Sequence, residues 1–279
     1  MNIGIIGLGL IGGSLGLDLR SLGHHVIGVS HRESTCQKAI AIGSVDEASI
    51  DLSIMKVTDV VFICTPIAII VPTVEQLITH LSSNTVITDV GSVKTPVVTA
   101  ASSLWNNFIG GHPMAGTADS GIEAAVKKLF VNNPYVITPT NTTTNHAIAV
   151  LTEIIAQLQA LPLQCSPEAH DKAVSSISHL PVMVSASLIK TCIVEANIDI
   201  AQISQNIASS GFRDTSRVGG GNPELGVMMA KYNRPALLES LQSYRNNLDK
   251  LISLVEKEDW EELDKYLQST KIARPLFTD

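Results

Sequence analysis

The segment Gly110–Thr117, GGHPMAGT, contains a histidine whose ring could serve as a proton acceptor. Pro113 disfavours the helical region for His112 and favours an extended backbone. The neighbouring glycines allow a ligand to approach the main chain closely. A lone histidine in a loop can also be an ordinary surface residue, so the other motifs of the chain must decide between these two interpretations.

A glycine-rich fingerprint lies at the start of the chain. The apolar run Ile3–Ile6 predicts a buried strand, and a glycine-rich turn and a helix-compatible stretch follow it. In dinucleotide-binding folds the first glycine permits the turn, the second lets the pyrophosphate touch the backbone, and the third lets helix and strand pack closely. The free N–H groups at the helix start bind phosphate. We therefore predict that the dinucleotide binds at Gly7, Leu8, Gly9, Leu10, Ile11 and Gly12.

The end of the second predicted strand, His25–Val29, bears on the choice of cofactor. A site that selects NAD usually has an acidic residue here, which binds the ribose 2′-hydroxyl. This chain instead has Ser30, His31 and Arg32, which offer a hydroxyl, an imidazole and a guanidinium. That set suits a 2′-phosphate and predicts NADP as the cofactor. The alternative is that Arg32 is an ordinary exposed arginine.

Composition bounds the remaining possibilities. The chain has 279 residues, of which 45% are hydrophobic, so it can bury a large core and form two domains. Its net charge of −7 argues against a nucleic-acid or membrane-surface partner. The longest apolar stretch, Val60–Val71, is too short to span a bilayer. The scattered cysteines predict reduced thiols, no metal site and a cytoplasmic location: Cys36, Cys64, Cys165 and Cys192.

Short β-rich runs alternate with helical patterns in the first half of the chain and predict a parallel sheet with helices on both faces. Distinctive loops follow three of these runs: Thr65-Pro66, DVGSVKTP and GGHPMAGT. Ligands bind at the carboxyl ends of such strands, so these loops should line one crevice with the glycine fingerprint. Thr65 and Pro66 are therefore predicted cofactor contacts. The further predicted strands are Asp59–Cys64, Thr85–Val90, Asn107–Ile109 and Tyr135–Thr138.

The pattern becomes helical after Leu161-Pro162. Ser166 as N-cap and Pro167 as first helical residue predict a long helix that contains His170 and His179. A long amphipathic run begins at Pro235. The predicted fold class is α/β, with a Rossmann-type dinucleotide-binding domain at residues 1–163. An all-helical domain at residues 164–279 would bind substrate and form a homodimer.

Six motifs carry a resemblance to a known family. The segments GLGLIGGS, TPIAIIVP, DVGSVK, GGHPMAGT, SHLP and GFRDTSR cover almost the whole chain in this order. Together they resemble the prephenate/arogenate dehydrogenases of tyrosine biosynthesis, most of all the short bacterial and cyanobacterial type. The resemblance implies an oxidative decarboxylation. In that reaction NAD(P)⁺ takes a hydride from ring C4, CO₂ leaves and the ring becomes aromatic.

The resemblance also implies roles for individual residues. His112 would accept the proton of the ring 4-hydroxyl, and Ser92 would orient both groups. Arg217 would bind the ring carboxylate and His179 would face the site; Arg213 and Gly116 are further substrate contacts carried over from the family. From the residues alone two alternatives remain open. Arg217 could pair with a nearby acid, Asp214 or Asp199, and His179 could be a hydrogen-bonded core histidine.

Departures from the family pattern favour arogenate over prephenate. Val182 stands where many relatives have a second histidine, and prephenate, the more negative substrate, gains most from such a donor. Asp119 lies close to His112 in sequence and could face the ammonium group of arogenate. Asp119 could also be an exposed loop acid or a helix cap.

Other functions remain open at this stage. The nearest is a prephenate dehydrogenase that forms 4-hydroxyphenylpyruvate. A second is a non-catalytic NADP(H)-binding sensor, which would need no organised proton acceptor. The presence of His112, Ser92 and Arg217 together argues against it. A third is a β-hydroxyacid-type reductase, which would need a catalytic lysine on the long helix; Lys172 and Lys190 are available there but lie in no recognisable motif.

Overall fold

The computed structural model describes residues 1–117, 119–194 and 197–278. The chain divides into two compact units, residues 1–233 and 234–279. The strands of the first unit are β1 (Asn2–Ile6), β2 (His25–Val29), β3 (Glu47–Ser49), β4 (Val60–Ile63), β5 (Val86–Asp89), β6 (Phe108–Pro113), β7 (Pro134–Thr138) and β8 (Leu161–Gln164). They form one sheet in the order β3-β2-β1-β4-β5-β6-β7-β8.

Helices cover both faces of this sheet, as predicted. They are α1 (Leu10–Ser21), α2 (Glu33–Ala41), α3 (Ile67–Leu77), α4 (Thr95–Leu104) and α5 (Asn145–Gln157). Successive strand residues point to opposite faces, so one sheet supplies two cores. Ile5 packs in the cluster that includes α1 and α5 residues, whereas its neighbour Ile6 packs in the cluster that includes α3 and α4 residues. The parallel pairing of β1 with β2 and β4 places the loops that follow these strands at one edge.

Two predictions about the far side of the sheet are wrong. The run Tyr135–Thr138 does form a strand, but β7 pairs antiparallel with β6. The GGHPMAGT segment is not entirely a loop, because β6 continues through Pro113 and places His112 on a strand, opposite Val136. The antiparallel partner explains both results, since its ladder extends β6 beyond the point where the parallel pairing with β5 ends.

The two edge strands, β3 and β8, escaped prediction. Both are short, and β8 is exposed along its whole length. Edge strands have weak alternation and tolerate proline, so Pro162 in β8 reads from sequence as a break rather than as a strand.

The helical part of the first unit begins with the predicted cap, because Ser166 Oγ accepts the Ala169 N–H at 3.2 Å. Its helices are α6 (Pro167–Val174), α7 (Leu180–Ile193), α8 (Ile198–Ile207), α9 (Ser210–Ser216) and α10 (Pro223–Tyr232). A π-turn, Ser175–His179, joins α6 to α7 in one continuous helix. This helix is long and apolar enough to cross a membrane by length and composition, a test that core helices of other proteins also pass.

The second unit consists of α11 (Arg234–Glu256), α12 (Trp260–Ala273) and α13 (Pro275–Thr278). The amphipathic run predicted from Pro235 is α11. Asp259 caps α12 by accepting the Glu262 N–H at 3.1 Å, which satisfies one of the free donors at the helix start.

Candidate active site

His112 lies near the end of β6, and a buried ion pair fixes the backbone beside it. Lys94 Nζ contacts the Asp89 carboxylate and donates to the Gly111 carbonyl oxygen at 2.7 Å. The Gly111 N–H donates to Asp89 Oδ1 at 3.2 Å. A Cβ at Gly111 would lie 2.7 Å from the Asp89 carbonyl oxygen, so only glycine lets the two strands approach in this way. The pair therefore fixes the position from which His112 projects.

Burial and charge act in opposite directions on this lysine. Both Lys94 and Asp89 are fully buried. Burial lowers the pKa of Lys94, while the charge and the hydrogen bond of Asp89 oppose that change. A buried charge is tolerated when it is paired and hydrogen-bonded, and the contacts of Lys94 with Asp89 and Gly111 satisfy this condition.

The His112 ring is hydrogen-bonded to a second histidine from the long helix. His112 Nδ1 lies 2.8 Å from His170 Nε2, and the two rings meet edge to face. His170 Nδ1 lies 2.8 Å from Asp171 Oδ1. His112, His170 and Asp171 thus form a row of hydrogen-bonded side chains. Among the described residues no hydrogen bond of His112 Nε2 is recorded, so this ring nitrogen is left for a ligand.

Asp171 is held rigidly at the far end of this row. Its carboxylate accepts the backbone N–H of Lys94 at 2.7 Å and that of Thr95 at 2.8 Å, at the start of α4. Burial raises the pKa of Asp171, but the hydrogen bonds from His170, Lys94 and Thr95 outweigh it and leave the pKa below its ordinary value. Asp171 therefore stays ionised beside His170.

The surroundings keep His112 neutral. Burial lowers the pKa of His112 well below the ordinary value of 6.5, and Lys94, His170 and His179 lower it further. His112 is nevertheless partly exposed, so a ligand can reach it. A neutral imidazole is the form that accepts a proton.

His179 lies in the π-turn and is fully buried. Asn233 Nδ2 lies 3.2 Å from His179 Nδ1 and donates to the Asp171 carbonyl oxygen at 2.7 Å. His179 Nε2 has no hydrogen-bond partner among the described residues. Burial lowers the pKa of His179 to about 4, so this ring is neutral as well. The π-turn matters here because such bulges change the direction in which helical side chains point.

The two predicted arginines lie on a segment that docks against α7. Arg213 lies in α9, and Arg217 begins a 3₁₀ turn that ends at Gly220. Ser185 on α7 anchors this turn, because its hydroxyl accepts the Gly219 N–H at 2.9 Å. Arg213 pairs with Asp214 at 3.6 Å, and both side chains are exposed.

Arg217 is exposed. Within residues 1–117, 119–194 and 197–278, the structure records no ion pair for Arg217 and no hydrogen bond between Arg217 and His112.

The remaining predicted residues near His112 lie in two loops. Ser92 is half-buried in the loop between β5 and α4, and no hydrogen bond of its hydroxyl is recorded in the described part of the chain. Gly116 has open space around its Cα, since a Cβ there would meet no atom within 4 Å. Asp119 is exposed, and its N–H donates to Thr117 Oγ1 at 3.2 Å.

The three glycines of the glycine loop, Gly7, Gly9 and Gly12, have different roles. Gly7 has φ +98°, and a Cβ there would lie 2.6 Å from the Cys64 carbonyl oxygen. A Cβ at Gly12 would lie 2.1 Å from the Gly7 carbonyl oxygen. Both glycines are therefore required by the fold itself. A Cβ at Gly9 would meet no protein atom within 4 Å, so the protein leaves open space above this residue.

The open space at Gly9 lies at the start of α1, where the N-cap offers no side-chain hydrogen bond to the free N–H groups. Leu8, Leu10 and Ile11 complete the loop. Thr65 Oγ1 is buried and has no hydrogen-bond partner among the described residues. Its backbone N lies next to Gly7. Free helix donors, open space and an unpartnered hydroxyl together fit the phosphates of a dinucleotide.

The segment after β2 is arranged as follows. Ser30 is buried, and its Oγ accepts the Arg32 N–H at 3.5 Å. His31 and Arg32 are exposed, and Arg32 is the N-cap of α2. Pro66 is the N-cap of α3 at the end of the neighbouring loop.

Sequence reasoning missed four residues of this site: Asp89, Lys94, His170 and Asp171. The pair His170-Asp171 lies in the charged stretch EAHDK, which is typical of a solvent-facing helix start. The signal available for Lys94 was its place beside Asp89 in DVGSVK, directly after a buried strand.

Comparison with known proteins identifies the family. The profile described as "Prephenate dehydrogenase, nucleotide-binding domain" matches residues 15–162, and "Prephenate dehydrogenase, dimerization domain" matches residues 166–269. The prephenate dehydrogenase of Bacillus subtilis is 33% identical over 274 residues, which are 96% of this chain and 73% of that protein.

Two solved structures are similar over nearly their whole length. Synechocystis arogenate dehydrogenase is 55% identical with a TM-score of 0.90, over 99% of this chain and 100% of that chain. Prephenate dehydrogenase from A. aeolicus, in complex with hydroxyphenyl propionate and NAD⁺, is 27% identical with a TM-score of 0.93, over 98% of this chain and 97% of that chain. These matches cover both the dinucleotide-binding region and the helices that carry His170 and Asp171, and the chain belongs to the prephenate dehydrogenase family.

Proposed function

We propose that this protein is an NADP-dependent arogenate dehydrogenase, which converts arogenate to tyrosine by oxidative decarboxylation. The observation that carries the proposal is the neutral His112 with Nε2 left for a ligand. His112 and the glycine loop both lie at the carboxyl ends of the parallel strands. The similarity to Synechocystis arogenate dehydrogenase supports arogenate as the substrate.

The residues of this site are proposed to perform the proton transfer of the reaction. Bound NADP⁺ supplies the acceptor for the hydride that leaves ring C4. As C4 gains carbonyl character, His112 Nε2 accepts the proton of the 4-hydroxyl. After CO₂ leaves ring C1 and the ring becomes aromatic, the same nitrogen returns the proton to the phenol oxygen. Ser92, in the adjacent loop, is proposed to orient the hydroxyl toward His112.

Arg217 is proposed to bind the ring carboxylate, because its guanidinium can hold a carboxylate through two parallel hydrogen bonds. The recorded pairing of Asp214 with Arg213 supports this assignment, since Asp214 then has a partner other than Arg217. His179, Arg213 and Gly116 are proposed as further substrate contacts. Among the residues that the structure describes, the buried His179 Nε2 has no hydrogen-bond partner, which favours a polar ligand there.

Asp119 and Val182 are proposed to select arogenate. An exposed carboxylate at Asp119 attracts the ammonium group of arogenate and repels the more negative prephenate. Val182 supplies no hydrogen-bond donor that would favour prephenate, the more negative of the two substrates. Prephenate remains the second candidate substrate because the Bacillus subtilis relative is a prephenate dehydrogenase.

The preference for NADP rests on Ser30, His31 and Arg32. Arg32 is exposed, and the structure records no ion pair for it within the described ranges, so its charge is available for a 2′-phosphate. NAD⁺ is the alternative, because it is the cofactor in the A. aeolicus complex.

The domain boundary at residues 163 and 164 and the homodimer are also proposals. The helical region matches a dimerisation domain. It exposes large apolar side chains such as Ile198, Ile207 and Phe277, which a partner subunit would cover. An enzyme of amino-acid biosynthesis with these features is proposed to be cytoplasmic.

Steady-state kinetics with both substrates and both cofactors test this proposal. We expect the highest kcat/KM for arogenate with NADP⁺. An equal or higher value for prephenate would overturn the substrate assignment, and an equal or higher value for NAD⁺ would overturn the cofactor assignment.

A further inference from the structure

His170 and Asp171 lie behind His112, on the side opposite the nitrogen that is left for a ligand. We propose that this pair is a positioning device, which holds neutral His112 in its Nδ1–H form and keeps Nε2 unprotonated toward the substrate. The inference rests on the proposed function, because it explains how His112 is prepared to accept the hydroxyl proton. His170 and Asp171 act through His112 and do not themselves touch the substrate.

The argument starts from Asp171. An ionised carboxylate can only accept hydrogen bonds, so the 2.8 Å contact between Asp171 Oδ1 and His170 Nδ1 places a proton on that nitrogen. In a neutral imidazole the other nitrogen is then an acceptor. In the proposed arrangement the His170 ring is neutral, so its Nε2 accepts, and the 2.8 Å contact with His112 Nδ1 is a hydrogen bond that His112 donates.

The consequence falls on the reacting atom. Because His112 Nδ1 carries the proton, Nε2 carries the lone pair. A His112 ring with the opposite tautomer would present an N–H to the substrate hydroxyl and could not take its proton. Asp171 thus determines whether His112 can accept the proton of the substrate hydroxyl.

Asp171 is anchored independently of the histidines, which makes it a reliable reference point. The backbone N–H groups of Lys94 and Thr95 hold its two carboxylate oxygens. Asn233 holds the Asp171 carbonyl oxygen at 2.7 Å. Lys94 also fixes the backbone beside His112. The same lysine therefore positions both His112 and Asp171.

The charge of Asp171 also helps after the proton is accepted. The imidazolium that forms at His112 is then hydrogen-bonded, through His170, to a negative carboxylate. Among the described residues, Lys94 opposes this cation and is itself paired with Asp89, and His170 and His179 also lower the pKa of His112. Asp171 is thus placed to offset the effect of Lys94.

The decisive experiment reads the tautomer directly. Nitrogen NMR of the full-length protein labelled with ¹⁵N-histidine distinguishes a protonated from an unprotonated ring nitrogen, and a His112→Asn spectrum assigns the signals. We expect Nδ1 of His112 to be protonated and Nε2 to be unprotonated in the wild type, without any ligand. A wild-type His112 that is protonated on Nε2 overturns the inference.

Asp171→Asn should reverse this pattern. In the orientation that keeps the hydrogen bond from the Thr95 N–H, the new amide nitrogen replaces Oδ1, gives up the hydrogen bond from the Lys94 N–H and donates to His170 Nδ1. His170 then donates through Nε2 to His112 Nδ1. We expect His112 to become protonated on Nε2 and kcat to fall by roughly 10²–10⁴-fold, with KM for the substrate nearly unchanged. Asp46→Asn is the matched control, because Asp46 also accepts a backbone N–H, that of Val26 at 2.8 Å, at the start of β2. This control should leave the His112 tautomer as in the wild type.

Variants of His170 keep the test decisive where Asp171→Asn fails to fold. His170→Gln retains an acceptor oxygen near the position of Nε2, whereas His170→Ala removes it. We expect the glutamine variant to keep the wild-type His112 tautomer and a larger share of kcat than the alanine variant. Equal losses of kcat in the two variants, with an unchanged tautomer in both, contradict the inference. A wild type that has the expected tautomer but oxidises neither arogenate nor prephenate refutes the proposed function alone.

Discussion

Alanine substitutions at Gly9 and Gly12 separate the binding role of the glycine loop from its packing role. A Cβ at Gly9 would meet no protein atom within 4 Å, whereas a Cβ at Gly12 would lie 2.1 Å from the Gly7 carbonyl oxygen. Gly9 has φ −99° and ψ −158°, an extended backbone that alanine also adopts. The two variants add the same methyl group to the same loop, and only one of them collides with the fold.

The expected effects on stability differ accordingly. Gly9→Ala changes only the N-cap preference, at a cost below about 1 kcal/mol, which lowers Tm by less than about 4 °C. Gly12→Ala pushes a methyl group against a backbone oxygen that has no side-chain freedom to move. Overpacking of this kind costs about 1–3 kcal/mol, which lowers Tm by roughly 2–12 °C.

For cofactor binding, Gly9→Ala is the variant with the direct effect. The methyl group of Gly9→Ala occupies the open space at the start of α1 and displaces a pyrophosphate from the helix N–H groups. The loss of one charge-assisted hydrogen bond costs about 1.5–3 kcal/mol, which raises Kd for NADP⁺ about 10- to 150-fold.

Thermal unfolding and isothermal titration calorimetry measure these two quantities on the same samples. The reasoning predicts a Gly9→Ala protein that is nearly as stable as the wild type and binds NADP⁺ weakly. A Gly9→Ala protein that binds NADP⁺ as tightly as the wild type refutes the placement of the phosphates over Gly9. An unfolding temperature as low as that of Gly12→Ala would refute the analysis of the space around Gly9.

Four further predictions concern side chains of the site. His112→Asn should lower kcat by roughly 10²–10⁴-fold with little change in binding; in the wild type, because burial lowers the pKa of His112, the acid limb of kcat/KM should lie below pH 6.5. Arg217→Ala should raise KM for the substrate strongly and leave KM for the cofactor nearly unchanged, since a desolvated charge pair is worth about 2–5 kcal/mol; an unchanged substrate KM excludes the carboxylate contact. Arg32→Ala should raise KM for NADP⁺ and not for NAD⁺, and equal changes for both cofactors count against a 2′-phosphate contact. Asp119→Asn should narrow the ratio of kcat/KM between arogenate and prephenate without abolishing turnover, which competition between the two substrates can measure.

The parts of the fold that local chemistry determines could be predicted from the sequence. The run Ile3–Ile6 and the glycine loop after it specify a strand, a turn and a helix through short-range contacts. The pair Ser166-Pro167 likewise specifies a helix start. The direction of β7 could not be predicted, because parallel and antiparallel strands have the same residue pattern when both faces are buried.

The site could be predicted only in part, for a related reason. His112 lies in a distinctive motif, and its chemistry follows from its residue type. His170 and Asp171 lie in an ordinary charged helical stretch, and their burial depends on contacts with residues more than fifty positions away. Single-sequence patterns do not encode such long-range contacts, so this half of the site emerges only from the fold.

Product analysis of one reaction tests the central claim most directly. Wild-type protein incubated with arogenate and NADP⁺ is predicted to form tyrosine, CO₂ and NADPH in equal amounts, as measured by mass spectrometry and nicotinamide absorbance. The His112→Asn protein, folded and still able to bind NADP⁺, is predicted to form tyrosine at least about 10²-fold more slowly. Absence of tyrosine in the wild-type reaction, or its formation by the variant at the wild-type rate, would contradict the account.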